Sequence, residues 1–420
     1  MMSVILQKYR FMEGFLPKPD LKRLVILTGA RQTGKTTLSR YKYPQLNYIN
    51  LDSPENRDLL KSISSASWAK SVGNAIIDEA QKEPIVFEKV KYAYDDGGVS
   101  FCLMLGSSQI LLLKKIRESL AGRVSIYELW PLMMSEIYWD ADSKIIEPPL
   151  VDRFFSKEDF NSILKDIPEV LLDKIDQKHR EAENHLQKWG GMPALLSLPE
   201  DERWKWLRDY EYTYLERDLS DLARLDDLSP FRTFQKLSAL RSGKLLNYSE
   251  LSRDASISID TARRYFEYLK LSYQILLLQP YHKNITSSVI KTPKLYWLDI
   301  GLLRQLSGFR GELSGEIYET MVVGEIMKWI RTTQKEAELY FYRTRSGLEL
   351  DILLQTENGF IGMEIKGRKQ ITPSDLRAMK EVALGLGKEW RGGMVIYRGD
   401  SINKIAEPNI WAVPSRRLFI

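Results

Sequence analysis

Leu24-Val25-Ile26-Leu27-Thr28-Gly29-Ala30-Arg31-Gln32-Thr33-Gly34-Lys35-Thr36-Thr37-Leu38 is the stretch that decides how the first third of the chain folds. An apolar run feeds a Gly-x-x-x-x-Gly-Lys-Thr signature, and a helical pattern follows it. Strand, glycine turn and helix in that order make a phosphate-binding loop. Gly29 and Gly34 allow the tight backbone turn that aims successive N–H groups inward. A helix beginning near Lys35 adds its positive N-terminal end. Gly29, Ala30, Arg31, Gln32, Thr33, Gly34, Lys35, Thr36 and Thr37 are therefore expected to cradle the phosphates of a nucleotide. Within that set Lys35 reaches the β- and γ-phosphates, and the Thr36 hydroxyl ligates Mg²⁺.

Working outward, the helix after the loop must end before Pro44, and Asn47–Leu51 alternates like a strand. Asn74-Ala75-Ile76-Ile77-Asp78-Glu79-Ala80-Gln81 then describes a buried strand delivering two acids at its C-terminal edge, where ligands of open α/β sheets bind. Such a Walker B strand gives Asp78 to the Mg²⁺ shell and Glu79 to the attacking water. A further apolar strand, Phe101–Leu105, leads to Ser107 and Ser108. Either serine can sense the γ-phosphate from beside the Walker B acids, or simply cap the helix Gln109–Leu120. Arg123 can serve as an arginine finger, in cis or from a neighbouring subunit, or pair with a local acid.

The chain has 420 residues, enough for two to four domains, and a hydrophobic content of 44% with 28% charged residues, as in soluble globular proteins. The net charge of +5 is too small to demand a polyanionic partner, so a nucleic-acid surface has to come from local clusters. Cys102 is the single cysteine, which excludes an intrachain disulfide and a thiolate metal cage. Met1–Arg10 lacks a signal-peptide layout and no apolar run approaches a membrane span, so a cytoplasmic protein without a membrane partner is expected.

Taken together, GARQTGKTTL, AIIDEAQ, LGSSQ, and LAGRV followed by ELWPL resemble a large prokaryotic family of AAA-superfamily P-loop ATPases. Members of that family couple the ATPase core to a C-terminal domain of unknown function. Gly190-Gly191-Met192-Pro193 and Tyr214-Leu215-Glu216-Arg217-Asp218-Leu219 resemble its linker. The resemblance spans nearly the whole chain and implies ATP and Mg²⁺ as ligands.

Between about Val151 and Lys188, mixed charges and apolar residues at helical spacing (Phe160, Ile163, Leu164, Ile167) read as a helical lid or linker. Trp189, Trp204 and Trp206 suit core or interface anchors. From Ser238 onward the pattern becomes helix, turn Ser256–Asp260, helix Thr261–Leu271, then strand-like Gln274–Leu278 and Lys294–Trp297. That succession predicts a winged helix-turn-helix, with Arg263 and Arg264 on the second helix and Arg253 nearby, either for phosphate or groove contacts or as part of a module that only packs on the ATPase core.

The last 105 residues predict the order αβββαβ of a restriction-endonuclease-like core. Asp351 on the second strand, with Glu364-x-Lys366 at the end of the third, matches the PD-(D/E)xK nuclease motif. Glu364 and Lys366, two apart, share a strand face. Leu350 stands where the motif has proline. Asp351 and Glu364 are candidate ligands for Mg²⁺ or Mn²⁺, and Lys366 a candidate for steadying the anionic phosphate. Of the first-helix acids Glu319 and Glu325, six residues apart and on different faces, Glu325 is expected to join them, because Tyr318, Val322 and Trp329 share its face.

The expected architecture is thus α/β and multidomain. A P-loop, AAA+-like parallel sheet over residues 1–150 is followed by a helical linker over 151–235, a winged helix over 236–312 and a nuclease-like domain over 313–420. The expected function is an ATPase acting on DNA, with a metal-dependent nuclease-like module and a ring-forming homo-oligomer as its candidate assembly. The alternative is a nucleotide-gated signalling or scaffold ATPase whose nuclease-like domain is inactive and binds protein partners.

Overall fold

The computed structural model describes residues 8–106, 120, 122–215, 228–281 and 292–420. Its first sheet has five strands: β1 (Arg23–Thr28), β2 (Asn47–Asn50), β3 (Ala75–Asp78), β4 (Phe101–Gly106) and β5 (Val124–Glu128), in the order β2-β3-β4-β1-β5. Every pairing in it is parallel. Parallel strands are buried on both faces and so read as continuous apolar runs. The alternation is visible in the packing. Leu24, Ile26, Ala75, Ile77, Cys102 and Met104 face one core, while Val25, Leu27, Ile76, Leu103 and Leu105 face the other. Burial pushes the Cys102 thiol up to about 12, so it packs as an inert apolar group.

Helix α1 (Lys35–Lys42) leaves the end of β1 through the phosphate loop, and β3 ends at Asp78. Because β4 lies between β1 and β3, it separates the two motif-bearing strands by one position.

The second sheet has nine strands in the order β13-β14-β12-β11-β10-β9-β7-β8-β6, where β6 is Lys244–Leu245, β7 Ile275–Pro280, β8 Lys294–Trp297, β9 Ala337–Arg343, β10 Glu349–Thr356, β11 Gly359–Lys366, β12 Trp390–Tyr397, β13 Asn403–Ala406 and β14 Ile410–Pro414. The segments expected to form two separate domains therefore share one sheet. The junction is a short parallel pairing of β7 with β9, Gln279 against Tyr340 and Pro280 against Phe341.

On the β7 side, helices α2 (Ser229–Ala239), α3 (Tyr248–Asp254) and α4 (Ile259–Leu271) precede the antiparallel β7–β8 hairpin. Asn247 and Ser258 cap α3 and α4 by accepting from the backbone N–H groups of Glu250 and Thr261. On the other side β9, β10 and β11 form an antiparallel meander. Helix α6 (Arg377–Leu386) then crosses to β12, which runs parallel to β11.

Helix α5 (Gly315–Thr333) is the central strut. Almost every residue from Ile317 to Ile330 is buried, against the sheet on one side and against Phe11, Leu132, Met133 and Ile137 on the other. A helix apolar nearly all round belongs inside a large core.

Candidate functional site

The first centre is assembled by the ends of β1 and β3. Gly29 has φ +149°, and a Cβ there would lie 2.1 Å from the carbonyl oxygen of Leu129. Only glycine lets the loop pass that close to the neighbouring strand. Gly34, at φ +96°, is the N-cap of α1 and offers no side-chain acceptor, so the first N–H groups of the helix remain available to an anion. The Lys35 ammonium donates to the carbonyl oxygens of Gly29 and Ala30 at 2.9 and 2.8 Å, inside the loop that would receive the phosphates.

Thr36 Oγ1 donates to Asp78 Oδ2 at 2.7 Å, which brings the two nucleotide motifs into direct contact. The same carboxylate oxygen accepts from Tyr48 at 2.8 Å, and Oδ1 accepts from the Glu79 N–H at 2.9 Å. Burial and the Asp78 carboxylate raise the Tyr48 phenol well above its ordinary range, so it remains a donor. Hard oxygen donors from a threonine and a buried aspartate, beside a phosphate cradle, fit Mg²⁺. Glu79 sits in the left-handed region at φ +53°, and its Oε2 accepts from Gln81 at 2.5 Å.

A cavity of about 870 Å³ opens over these groups. Its floor is the loop from Arg31 to Leu38, with Asp78 and Glu79 on one side, and Tyr9, Ile146, Leu196 and Trp206 supply apolar wall. Trp206 thus stands at a ligand-sized cavity as well as stacking on Tyr210. Trp189 and Trp204 pack on one another as anchors.

Arg10 has no local sequence signal. It braces this centre by donating to the carbonyls of Thr33 and Trp130 at 2.8 and 2.6 Å while pairing with buried Glu136. The Gly190-Gly191 step has an equally tertiary reason: a Cβ at Gly191 would lie 2.2 Å from the Leu132 carbonyl oxygen, and its N–H donates to Asp299 at 2.8 Å.

Two further expectations for this centre resolve differently. Ser107 and Ser108 lie outside the described residues. Arg123 pairs through Nε with Asp95 at 2.7 Å on the surface, the local-acid arrangement rather than a reach to the phosphate loop within its own chain.

The second centre lies on the nine-stranded sheet. β10 and β11 bring Asp351 and Glu364 together, and Lys366 Nζ donates to Glu364 Oε1 at 2.6 Å. Asp351 Oδ2 accepts from the Ile365 N–H at 2.8 Å. The first-helix acid that joins them is Glu319, which accepts from Tyr296 at 2.6 Å and from Lys294 at 3.0 Å.

Glu325, expected in that place, points the other way. It accepts from the Met134 N–H at 2.6 Å and pairs with Lys328 in the core. The correction has a plain cause. α5 is buried on all sides, so sharing a face with apolar residues does not distinguish the sheet side from the opposite side.

Sequence reasoning also missed Lys294, a lone charge in the apolar strand Lys294-Leu295-Tyr296-Trp297. Its ammonium contacts Glu319, Glu349 and, at 3.8 Å, Asp351. Burial opposes the charge, but Glu319, Asp351 and Glu349 outweigh it and raise Lys294 above its ordinary value. Burial, with Asp351 beside them, pushes Glu364 up to about 8 and Glu319 up to about 7. Asp351 is raised as well, chiefly by burial.

The motif implies a divalent metal on Asp351 and Glu364, and the residues present do not fit one. Lys294 and Lys366 already engage the carboxylates. Among the described residues no three His, Cys, Asp or Glu side chains are grouped to hold a metal ion. Glu364 Oε2 is left buried without a hydrogen-bond partner.

No helix among the described residues is long and apolar enough to cross a membrane. Residues 21–138 match the model of an AAA domain, and residues 180–313 and 314–418 match two domains of unknown function, DUF8612 and DUF4143. An uncharacterized protein of Mycobacterium tuberculosis is 28% identical over 402 residues, covering 94% of this chain and 81% of the relative. One from Methanocaldococcus jannaschii is 25% identical over 356 residues, covering 80% and 73%. Among solved structures, a Walker-type ATPase of Pyrococcus abyssi aligns with 68% of this chain and 91% of its own at 16% identity and a TM-score of 0.40. DnaA from Aquifex aeolicus aligns with 62% and 86% at 16% identity and a TM-score of 0.24. The AAA-domain match covers the residues that form the five-stranded parallel sheet and its phosphate loop.

Proposed function

We propose that this AAA-type chain binds and hydrolyses ATP at the loop Gly29–Thr37 and uses the nucleotide state to control how its C-terminal half engages DNA. The observation that carries the ATPase part is the 2.7 Å contact of Thr36 with Asp78 at the mouth of the cavity. In this reading the loop N–H groups and the start of α1 hold the phosphates, and Lys35 turns from the carbonyls of Gly29 and Ala30 toward them. Thr36 and Asp78 would hold Mg²⁺, which would supply neutralisation of the phosphate charge. Glu79, steadied by Gln81, orients the attacking water and accepts its proton.

The DNA part is supported by α2, α3, α4 and the β7–β8 hairpin following one another in winged-helix order, with Arg253, Arg263 and Arg264 exposed. Those cations suit phosphate contacts. In a division of labour along the chain, residues 1–150 supply the ATPase, 151–235 the linker that walls the nucleotide cavity, 236–312 the DNA-contacting segment and 313–420 a nuclease-like fold.

The testing experiment is ATP turnover with and without duplex DNA across a salt series. Stimulation that fades as salt rises supports the reading, and indifference to DNA removes its second half. The specific observation favouring a second reading, a nucleotide-gated scaffold, is Lys294 lodged among the carboxylates of the nuclease-like centre. Under that reading turnover is insensitive to DNA.

A further inference from the structure

We propose that Lys294 is the resident cation of the C-terminal carboxylate centre: its ammonium takes the charge-neutralising role a divalent metal has in the nuclease motif, and the centre takes no Mg²⁺ or Mn²⁺ while Lys294 is in place.

The lysine comes from β8, outside the αβββαβ order that carries the motif, and its side chain is only 3% exposed. Nζ lies 3.0 Å from Glu319 Oε1, pairs with Glu349 Oε1 and stands 3.8 Å from Asp351 Oδ1. An ammonium has three donors and no acceptor, and this one has three carboxylates around it. Its ammonium also lies over the Phe341 ring, 5.6 Å from the centroid.

Cations reach the other acids of the cluster too, while Glu364 Oε2 keeps no hydrogen-bond partner. Arg343 Nη1 donates to Glu349 Oε2 at 2.7 Å, and Lys366 to Glu364 Oε1 at 2.6 Å. Glu319, Glu349, Asp351 and Glu364 thus face Lys294, Arg343 and Lys366, which leaves little net negative charge for a doubly charged ion. A metal sharing Asp351 would also stand next to a buried ammonium that cannot retreat into water, where like charges repel most strongly. Buried carboxylates need a countercharge, and in this centre Lys294 and Lys366 supply it from within the chain. The inference rests on the nuclease-like reading only for which residues form the motif. It is independent of ATP hydrolysis and of DNA.

The test is Mn²⁺ binding to the full chain, read by electron paramagnetic resonance as loss of the free hexaaqua signal. It is run without nucleotide in a Thr36→Ala background that silences the phosphate-loop metal position. The parent is expected to bind no Mn²⁺ in an Asp351-dependent way. Lys294→Met is expected to gain about one ion per chain, and Lys294→Met combined with Asp351→Asn to lose it again. Binding in the parent that Asp351→Asn abolishes would overturn the proposal, as would a folded Lys294→Met that gains nothing. Should Lys294→Met not fold, the parent against Asp351→Asn decides alone: equal, negligible binding supports a resident lysine and Asp351-dependent binding refutes it. Because ATP turnover and its DNA response are read separately, failure here is distinguishable from failure of the functional reading.

Discussion

The hydroxyl of Tyr273 donates to Thr28 Oγ1 at 3.1 Å, tying residues 245 positions apart. Thr28 is the last residue of β1, next to the first glycine of the phosphate loop, and Tyr273 lies between α4 and β7 with φ +62°. Its ring meets Trp130 edge-on, centroids 4.9 Å apart, in a small core that also contains Ala30, Leu298 and Met327. The segment that carries α4 and β7 is thereby fastened to the strand that presents the loop. Tyr273→Phe keeps the ring and removes the hydrogen bond. It should cost about 1 kcal/mol of stability by denaturant titration and diminish the DNA response of ATP turnover more than the basal rate. An undiminished DNA response would show that coupling runs elsewhere.

At the Walker B end, Gln81 holds Glu79 by one oxygen and leaves the carboxylate beside the cavity. Glu79→Gln is expected to bind ATP as tightly as the parent by equilibrium dialysis while phosphate release falls by about 10²-fold or more. Unchanged release would remove Glu79 as the base.

Glu325 and Lys328 form an ion pair whose side chains are 2% and 3% exposed. Glu325→Ala leaves the ammonium buried without its partner and should destabilise the protein by about 3–5 kcal/mol, with a clear fall in Tm. A neutral effect on Tm would mean that the core tolerates a lone Lys328, against the packing described.

That pair also marks where sequence reasoning stopped. The contact of the phosphate loop with Asp78, and the grouping of Asp351 with Glu364 and Lys366, were legible because each residue is marked by local spacing on its own strand or turn. The choice between Glu319 and Glu325 was not, since α5 is buried all round and helical rotation cannot say which side faces which neighbour. Lys294, Arg10 and Tyr273 act on groups far away in the chain, so nothing near them in sequence announced a role. The joining of β7 to β9 is a tertiary pairing of two residue pairs, too short to leave a pattern.

The pH dependence of stability has a sign fixed by Glu364. Its folded-state value of about 8 lies above the 4.5 of an ordinary glutamate, because burial and then Asp351 disfavour the charge. The folded protein therefore binds this proton more tightly than the unfolded chain, and stability declines as pH rises from about 4.5 to about 8. Glu319, at about 7, acts in the same direction. Glu364→Gln should lose less Tm than the parent between about pH 6 and 8.5. An equal loss in both proteins would assign the pH dependence to other groups.

Control of DNA engagement by nucleotide is tested by steady-state ATP turnover of the protein at low salt, measured for the parent, Lys35→Ala, and Arg263→Ala combined with Arg264→Ala, each with and without duplex DNA. The parent should hydrolyse ATP faster with DNA. Lys35→Ala should lose turnover by at least about tenfold in both conditions, and the double arginine variant should keep its basal rate but lose the stimulation. Turnover in Lys35→Ala equal to the parent would contradict the assignment of the nucleotide site, and parent turnover indifferent to DNA would contradict its purpose.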